Sequence, residues 1–343
     1  MKINNSKCLI IAEIGLNHNG DYQLACDSVV AAANSGADAV KFQNFETEDF
    51  LTDRSILHSY KQNNEWITEP LFDICKRSEF RFEWMQPIKK LCDDLGVILM
   101  STPTSERGVD ELINHGVKFI KNGSDYLTHL PLLIYMAKTD AKIIISTGMA
   151  NKQDIDDAVD VICKHRHDSC NLIILHCTSN YPTTDENVNL LRMVSLKERY
   201  NLSVGFSDHT EGWISAVQAV TLGAEVIEKH FTLDKCLPGP DHWFSSNPLE
   251  FSELVSQVRS AEVRMGSNKI KPSVSEIEAR KQWRLGLVWN NDIDSGSVIM
   301  RSDVSIKKPA KGLLPKDLDR VIGKKLVKNC LKGRSIQIDD LSL

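Results

Sequence analysis

The sequence predicts an α/β protein in which a (β/α)8 (TIM) barrel precedes a small, mostly β C-terminal domain. Three observations lead to this prediction. Eight short apolar runs rich in Ile, Val and Leu recur up to residue 230, and amphipathic segments separate most of them. The last 60 or so residues hold only short β-like runs broken by turns. Eight alternating strand and helix patterns predict a parallel sheet, and eight units close a barrel.

The strand candidates are short, aliphatic and followed by polar residues. In chain order they are CLIIAEIG (8–15), DAVKFQ (38–43), GVILMSTP (96–103), KFIKNGS (118–124), KIIISTG (142–148), LIILHCTS (172–179), SVGFSDH (203–209) and AEVIEKH (224–230). The clearest helix candidates are 21–37, 104–116 and 213–224, and the last two have a glycine where a helix C-cap favours it. A doubly wound open sheet is the rival architecture, but neither G-x-G-x-x-G nor G-x-x-x-x-G-K-[ST] occurs.

Composition excludes several classes of partner. The chain has 343 residues, 42% of them hydrophobic, and a formal net charge of -5, which argues against non-specific binding of nucleic acid or of anionic membranes. No apolar stretch reaches the roughly 18 residues of a membrane span, and Glu13 interrupts the first apolar run before a signal-like region develops. We therefore expect a cytoplasmic protein. Its nine scattered cysteines contain no C-x-x-C pair and predict reduced thiols.

Polar side chains cluster at the ends of all eight strand candidates. Because the active sites of this fold lie at the C-terminal ends of the strands, we expect these clusters to converge in space. They are Glu13, Lys41 with Gln43, Ser101 with Thr102, Lys121 with Ser124, Ser146 with Thr147, His176 to Ser179, Ser207 to His209, and Lys229 with His230.

Two ligand types suit such a ring. Lysines together with Ser and Thr hydroxyls form an anion site for a phosphate, a carboxylate or both. Two imidazoles from adjacent strands, His209 and His230, supply two nitrogen ligands to a divalent metal and leave other positions open. Without thiolate or carboxylate ligands this is a weak zinc site, so manganese or magnesium is the expected guest.

Eight stretches carry a family resemblance that covers almost the whole chain. In order they are IAEIGLNHNGD, DAVKFQNF, STPTS, FIKNGS, LHCTSNYPT, GFSDHT, EKHFT and PGPDH. Their order and spacing resemble the sialic acid synthase family, the bacterial N-acetylneuraminate synthases and their relatives. The resemblance implies a transferase that condenses phosphoenolpyruvate with an open-chain N-acyl hexosamine, either N-acetylmannosamine or a diacetamido-trideoxy hexose. The product is a nine-carbon 2-keto sugar acid, and phosphate leaves by C–O cleavage.

The resemblance also implies roles for individual residues. The residues similar to the family's phosphoenolpyruvate cradle are Lys41, Thr102, Lys121, Ser124, Ser179 and Ser207. His209 and His230 resemble the metal ligands, with Mn²⁺ as the expected ion and Mg²⁺ or Co²⁺ as alternatives. The residues that resemble the sugar-binding set are Glu13, Gln43, Tyr181, Asp241 and Lys308, and those expected to act in catalysis are Glu13, Lys121 and Asp241.

One motif departs from the family pattern. Where the family has K-I-x-S-[GD]-[ED], this chain has KNGSDY, so Tyr126 stands at the acidic position and Asp125 precedes it. Two alternatives follow. Either Asp125 substitutes through a local shift, or Tyr126 faces the substrate and the acid function is weakened or moves to Glu13.

The C-terminal part resembles the antifreeze-like (SAF) domain that ends this family. We predict a barrel over 1–268, a linker over 269–283 and the SAF domain over 284–343. The resemblance implies a domain-swapped homodimer in which this domain offers a cation to the partner's sugar site. Lys308 stands where the family has arginine, and it keeps the charge but loses the bidentate fork.

Other functions remain open on the sequence. A Schiff-base aldolase would use a desolvated lysine, Lys121 or Lys229. A metal-dependent barrel aldolase and a non-catalytic sugar-binding barrel are the further alternatives. Within the synthase hypothesis, Trp243 and Phe244 follow Asp241 and favour a deoxy sugar over a phosphorylated one, because an apolar surface rejects a dianion.

Overall fold

The computed structural model describes residues 7–166 and 171–342, and the chain divides into two compact units, Met1–Gly266 and Ser267–Leu343. This division places the segment 269–283 in the second unit, and the boundaries at 268 and 283 stay a prediction. Every cysteine among the described residues is a free thiol, whereas Cys170 lies outside them.

All eight strand candidates form strands, and these close into a parallel barrel in the order β1-β10-β9-β8-β7-β6-β5-β2. The strands of the first unit are β1 (Leu9–Gly15), β2 (Ala39–Asn44), β3 (Leu57–Gln62), β4 (Glu65–Pro70), β5 (Ile98–Pro103), β6 (Phe119–Asn122), β7 (Lys142–Ser146), β8 (Leu172–Cys177), β9 (Ser203–Asp208) and β10 (Val226–His230). The prediction of a (β/α)8 barrel is confirmed.

Helices connect the strands, and the three segments with the clearest helical pattern form α1, α5 and α10. The helices of the chain are α1 (Tyr22–Asn34), α2 (Thr47–Phe50), α3 (Leu71–Arg77), α4 (Met85–Leu95), α5 (Glu106–Asn114), α6 (Leu130–Ala137), α7 (Lys152–His165), α8 (Asp185–Val188), α9 (Leu191–Tyr200), α10 (Ile214–Thr221), α11 (Pro248–Met265), α12 (Val274–Trp283) and α13 (Leu318–Val321). Local sequence sets their ends. Asp21 caps α1 by accepting from the N–H of Gln23 at 2.7 Å, and Gly116 and Gly223 follow α5 and α10 with φ of +73° and +96°.

Two apolar layers hold the barrel together. The larger lies between the strands and the helices and includes Val29 and Ile88, both fully buried. The smaller fills the interior of the barrel, and its buried members are Ile11, Ala39, Met100, Ile144, Ile173, Leu175 and Val226. The mouth of the barrel begins where this interior layer ends.

The β3–β4 hairpin was not predicted from the sequence. It is antiparallel, pairs Leu57 with Pro70, and interrupts the connection between β2 and α3. Its sequence alternates weakly and is mostly exposed, so no apolar run marks it.

The second unit has its own small core and an antiparallel pair, β11 (Gly286–Trp289) and β12 (Val304–Lys307). The buried Trp289 lies at its centre. This matches the predicted small, mostly β domain. None of the helices in the described part of the chain is both long and apolar enough to span a membrane.

Candidate active site

The polar ring at the mouth follows from the two-residue period of the strands. Successive side chains of a strand point to opposite faces, so the residue two positions after an interior apolar residue also faces inward. On six strands, the residue two positions after a member of the interior layer is polar or a thiol. These residues are Glu13, Lys41, Thr102, Ser146, Cys177 and Glu228. By the same alternation, Lys121 follows the interior Phe119 and Ser207 follows Gly205. All eight strands thus contribute a polar or thiol side chain to one buried layer.

Two lysines and two carboxylates form the charged centre of this layer. Lys41 Nζ lies 2.8 Å from Glu13 Oε2, 3.1 Å from Thr102 Oγ1 and 3.9 Å from Glu228 Oε2. Lys121 Nζ lies 3.9 Å from the other oxygen of Glu228, which also accepts from Ser207 Oγ at 3.1 Å. Glu228 therefore lies between the two ammonium groups, and all four charged side chains are buried.

Burial and mutual attraction set the pKa values of these groups. Burial raises the pKa of Glu13 against the opposing effect of Lys41, and burial lowers the pKa of Lys121. Burial also disfavours the charged forms of Glu228 and Lys41. Their attraction outweighs it, because Lys121 and Lys41 lower the pKa of Glu228, while Glu13 and Glu228 raise that of Lys41.

Two buried hydroxyl groups near the strand ends have no hydrogen-bond partner in the described part of the chain. Gly148 N–H donates to Ser124 Oγ at 3.0 Å, whereas Ser146 Oγ and Ser179 Oγ are buried and have no hydrogen-bond partner among the described residues. A Cβ on Gly148 would lie 2.7 Å from Ser124 Oγ and would overlap Ser179 Oγ. Buried polar atoms rarely stay unpaired, so this hydroxyl pocket, Ser124, Ser146 and Ser179, suits a ligand rich in acceptor oxygens.

Gly148→Ala tests the hydroxyl pocket. We expect the extra methyl to lower the free energy of unfolding by about 1–3 kcal/mol, the usual cost of overpacking, and to weaken anion binding. Urea unfolding and titration with phosphoenolpyruvate measure the two effects. The double variant Gly148→Ala/Ser179→Ala should regain stability but not affinity, because it removes the clash and also a hydroxyl. Unchanged anion affinity in Gly148→Ala would contradict the assignment.

The two predicted metal-binding histidines lie side by side at the ends of β9 and β10. The ring centroids of His209 and His230 are 5.3 Å apart. His209 Nδ1 lies 2.9 Å from the carbonyl oxygen of Thr178 and must donate to it, so in the neutral ring Nε2 carries the lone pair. Burial lowers the pKa of His230 well below its usual value, with a further contribution from His209, which leaves a neutral imidazole.

These histidines fit a divalent metal through their donor set. His230 Nδ1 is buried and has no hydrogen-bond partner among the described residues, and it lies 3.8 Å from Asp241 Oδ2. No group of three or more His, Cys, Asp or Glu side chains within residues 7–166 and 171–342 is arranged to hold a metal. The pair can therefore hold an ion with open positions for oxygen ligands, and not a closed structural zinc.

The residues predicted to bind sugar lie around the histidines on two sides. Gln43 Nε2 donates to Glu13 Oε1 at 2.9 Å, and Glu13 is in register with both His230 and Lys41. On the other side, the Tyr181 ring lies 4.2 Å from that of His209. Burial raises the pKa of Asp241 to about 7, with Glu13 contributing. The barrel thus brings together Glu13, Gln43, Tyr181 and Asp241.

Lys308, the fifth predicted sugar-binding residue, belongs to the second unit. Its Nζ lies 5.1 Å from the centre of the Trp283 ring, a cation–π contact within that unit. Its role toward the sugar stays a prediction.

Four members of the predicted polar ring, Lys229, Asp208, His176 and Ser101, do not face the mouth. Lys229 is fully buried on the outer side of β10, where Nζ bonds Asp208 Oδ2 at 3.0 Å and the carbonyl oxygen of Thr210. His176 Nε2 bonds the carbonyl of Val188 at 2.6 Å, and Ser101 bonds Asn44. The expectation that Lys229 converges with the other strand-end residues at the mouth is therefore wrong, because it alternates with the inward-facing Glu228 and His230, and the alternative in which it forms a Schiff base there loses its support.

The Lys229–Asp208 pair supports the loop that carries His209. Asp208 Oδ1 accepts from the N–H and the hydroxyl of Thr210 at 2.8 and 2.7 Å. Lys229→Met leaves a buried carboxylate unpaired, so we expect the free energy of unfolding to fall by about 3–5 kcal/mol. Asp208→Asn/Lys229→Met removes both charges and should recover much of that loss in urea unfolding. A single variant as stable as the parent protein would contradict a structural role for the pair.

Tyr126 packs away from the mouth. It contacts the outer apolar layer, and its ring stacks on His129 with centroids 5.8 Å apart and an interplanar angle of 8°. Asp125 is exposed, and Oδ1 folds against Gly123 so closely that a Cβ there would overlap it. The alternative in which Tyr126 faces the substrate is not supported by this packing.

One buried residue of the mouth was missed. Glu228 was not singled out because it lies inside an apolar run, whereas Cys177 belonged to the strand-end cluster 176–179 but received no role. Glu228 could be found from the two-residue period, since it lies two positions after the interior residue Val226.

The comparisons with protein families match this architecture. The model of the NeuB family matches residues 28–270, and the model of the SAF domain matches residues 286–342. The match to the SAF domain confirms the predicted class of the C-terminal domain.

Individual relatives match over nearly their full length. The N,N'-diacetyllegionaminic acid synthase of Legionella pneumophila is 39% identical over 331 residues, which cover 96% of this chain and 93% of that protein. The human N-acetylneuraminate-9-phosphate synthase is 30% identical and covers 93% of this chain and 89% of its own. A crystal structure of N-acetylneuraminic acid synthetase from Leptospira borgpetersenii, in complex with citrate, has a TM-score of 0.72 at 30% identity and covers 81% of this chain and 94% of that one. With a family model that matches most of the chain and relatives aligned over almost all of it, the chain belongs to the NeuB family.

Proposed function

We propose that this protein is a nonulosonic acid synthase that condenses phosphoenolpyruvate with an open-chain N-acyl hexosamine and releases phosphate by C–O cleavage. The observation that carries the proposal is the meeting, at one end of the barrel, of two lysines, a hydroxyl pocket and a pair of histidines. The named relatives, which are legionaminic acid, pseudaminic acid and N-acetylneuraminate-9-phosphate synthases, support a synthase of this kind.

The lysine side of the mouth suits phosphoenolpyruvate. Lys41 and Lys121 provide two buried amino groups, and the hydroxyls of Ser146 and Ser179, at the ends of the neighbouring strands, have no hydrogen-bond partner among the described residues. A phosphate and a carboxylate on one small molecule need two such positive positions held in register. Glu228 lies 3.9 Å from each Nζ and favours the charged form of both lysines, although burial lowers the pKa of Lys121 overall.

The histidine side suits the aldehyde end of the sugar. His209 and His230 would hold a divalent metal, with Mn²⁺ as the proposed ion, and such an ion supplies Lewis-acid polarisation of a carbonyl when it is bound. Gln43 and Glu13 offer an amide and a carboxylate to the sugar's hydroxyl and N-acyl groups. Asp241 lies 3.8 Å from His230 Nδ1, on the same side.

The reaction joins C3 of phosphoenolpyruvate to the sugar's carbonyl carbon, and a proton ends on the new hydroxyl oxygen. The positive charge that then forms at C2 is stabilised by the carboxylates of Glu13 and Glu228. Water adds to C2, a nearby carboxylate accepts its proton, and the C2–O bond to phosphate breaks to leave the 2-keto acid. Glu13, which is in register with Lys41 and His230, lies between the two halves of the site and is the proposed proton acceptor.

Product analysis tests the proposal. Phosphoenolpyruvate with heavy oxygen in its C–O–P bridge is offered with a panel of N-acyl hexosamines, and products are identified by mass spectrometry. We expect a nine-carbon keto acid and heavy oxygen in the released phosphate, both lost after EDTA treatment and restored by Mn²⁺. Heavy oxygen retained in the sugar acid would contradict C–O cleavage, and no condensation with any sugar would contradict the function.

A Schiff-base aldolase is the second candidate, because burial lowers the pKa of Lys121 as that chemistry requires. Borohydride treatment in the presence of pyruvate or a keto sugar acid distinguishes the two. The synthase proposal expects no covalent adduct on Lys121, and a trapped adduct there would favour the aldolase.

A further inference from the structure

We propose that an aromatic wall at the mouth, made of Tyr181, Phe244, Trp243 and Trp66, binds the end of the sugar that is remote from the reacting carbon and selects sugars lacking a polar group there. The inference rests on the proposed function, because it places the sugar's aldehyde at the histidine pair. It adds residues that determine specificity, one of which is contributed by the β3–β4 hairpin.

The aromatic wall is continuous from the histidines to the hairpin. The Phe244 ring lies 5.1 Å from that of His230 and 5.3 Å from that of Tyr181. Trp243 follows at 5.7 Å from Phe244, and Trp66 of β4 at 6.2 Å from Trp243, both pairs edge to face. Such edge-to-face packing holds each ring in a defined orientation.

The hairpin that carries Trp66 is fixed at its base. Glu69 accepts from the hydroxyl of Tyr60 at 2.7 Å and from Arg77 Nη1 at 2.7 Å. Ser59 and Thr68 share a further hydrogen bond of 2.7 Å across the two strands. Trp66 nevertheless remains 64% exposed, so a large flat apolar surface stays available beside a polar mouth.

Geometry directs the sugar chain toward the aromatic wall. The lysine side of the histidines is the place proposed for phosphoenolpyruvate, so a six-carbon chain that starts at the imidazoles must extend the other way. On that side the rings of Phe244 and Trp243 come first. Aromatic faces stack well on C–H groups, but they offer no partner to a hydroxyl that loses its water. A methyl group at the remote end therefore binds better than a hydroxymethyl group.

Lys61 could oppose this selection. Its Nζ lies 5.3 Å from the ring centres of both Trp66 and Trp243, so its charge already interacts with the aromatic wall. A phosphate at the remote end of the sugar would have to draw Lys61 away from both rings. Lys61→Met distinguishes binding of a phosphorylated sugar from binding of a deoxy sugar, because only the phosphorylated sugar would depend on the ammonium group.

The test compares N-acetylmannosamine, its 6-deoxy analogue and its 6-phosphate as substrates. In the parent protein we expect kcat/KM for the 6-deoxy sugar to exceed that for the 6-hydroxy sugar by about 10- to 100-fold, the range for one small group in an apolar site. In Trp243→Ala and Trp66→Ala this ratio should fall toward one. Leu57→Ala is the matched control, since Leu57 is 63% exposed on the same hairpin and pairs with Pro70, so its ratio should stay unchanged.

A binding measurement separates failure of this inference from failure of the proposed function. Each sugar is titrated against the Mn²⁺-loaded protein without phosphoenolpyruvate, and tryptophan fluorescence is followed. Tighter binding of the 6-deoxy sugar, lost in Trp243→Ala, supports the aromatic wall even if no condensation occurs. The inference would be overturned if the ratio of the 6-deoxy to the 6-hydroxy sugar, for affinity and for kcat/KM, were the same in the parent protein and in both tryptophan variants. Preferred binding of the 6-phosphate that disappears in Lys61→Met would also overturn it.

Discussion

Replacing Lys121 by methionine should lower kcat/KM for phosphoenolpyruvate by about 100- to 1,000-fold, as expected when one member of a buried charge pair is lost. Lys121 is one of the two ammonium groups that flank Glu228. Without it, the negative charge of Glu228 faces the incoming anions with Lys41 as its remaining lysine partner among the described residues. Steady-state kinetics with varied phosphoenolpyruvate measures the effect.

The same variant should change the free energy of unfolding little. Burial lowers the pKa of Lys121, which means that the folded protein disfavours its charge, and methionine removes that cost while Glu228 loses an attractive partner. Lys118→Met is the matched control, because Lys118 is exposed and precedes the same strand. A loss of stability as large as the loss of activity would mean that Lys121 serves mainly the fold.

Replacing either His209 or His230 by glutamine should weaken Mn²⁺ binding by more than about 100-fold, the upper end of what loss of a supporting group costs a metal site. Only two imidazoles hold the proposed ion, so one of them cannot compensate for the other. Electron paramagnetic resonance of free Mn²⁺ measures binding directly, without a turnover assay. We also expect turnover to fall to the level of the EDTA-treated protein.

His115→Gln is the control for this experiment. His115 caps the C-terminal end of α5, where Nδ1 contacts the carbonyl of Glu111 at 2.7 Å, and it is not one of the residues assigned to the mouth. Its Mn²⁺ binding should equal that of the parent protein. Unchanged Mn²⁺ affinity in both His209→Gln and His230→Gln would place the metal elsewhere or exclude it.

The barrel could be predicted from the sequence because its strands are buried on both faces. Such strands appear as continuous aliphatic runs, like KIIIS in β7, and these stand out from the helices between them. The β3–β4 hairpin could not be found in this way, since its pattern is that of an exposed two-stranded ribbon with Trp66 on the outside. A stretch without an apolar run has no pattern from which a strand can be predicted.

The site was predicted in its residue types and only partly in its geometry. Position at a strand end identified Lys41, Lys121 and the histidine pair, which the barrel brings together. Position alone could not distinguish Lys229 from Lys121, because that distinction depends on which face of the strand a residue occupies. The packing of Tyr126 on His129 likewise depends on tertiary contacts that no motif contains. The homodimer, the cytoplasmic location and the identity of the metal stay predictions.

The alternation along β10 makes this strand unusually intolerant of insertions and deletions. Glu228 and His230 point into the barrel while Lys229 points out to Asp208. Shifting the strand by one position would exchange these faces. Lys229 would then point into the barrel in place of Glu228 and His230, and Asp208 on the outer side would lose its counter-ion. A single insertion or deletion within the five residues of β10 would therefore remove both the proposed chemistry and a buried ion pair. Differences in length among homologues should lie in the connecting loops and not in this strand.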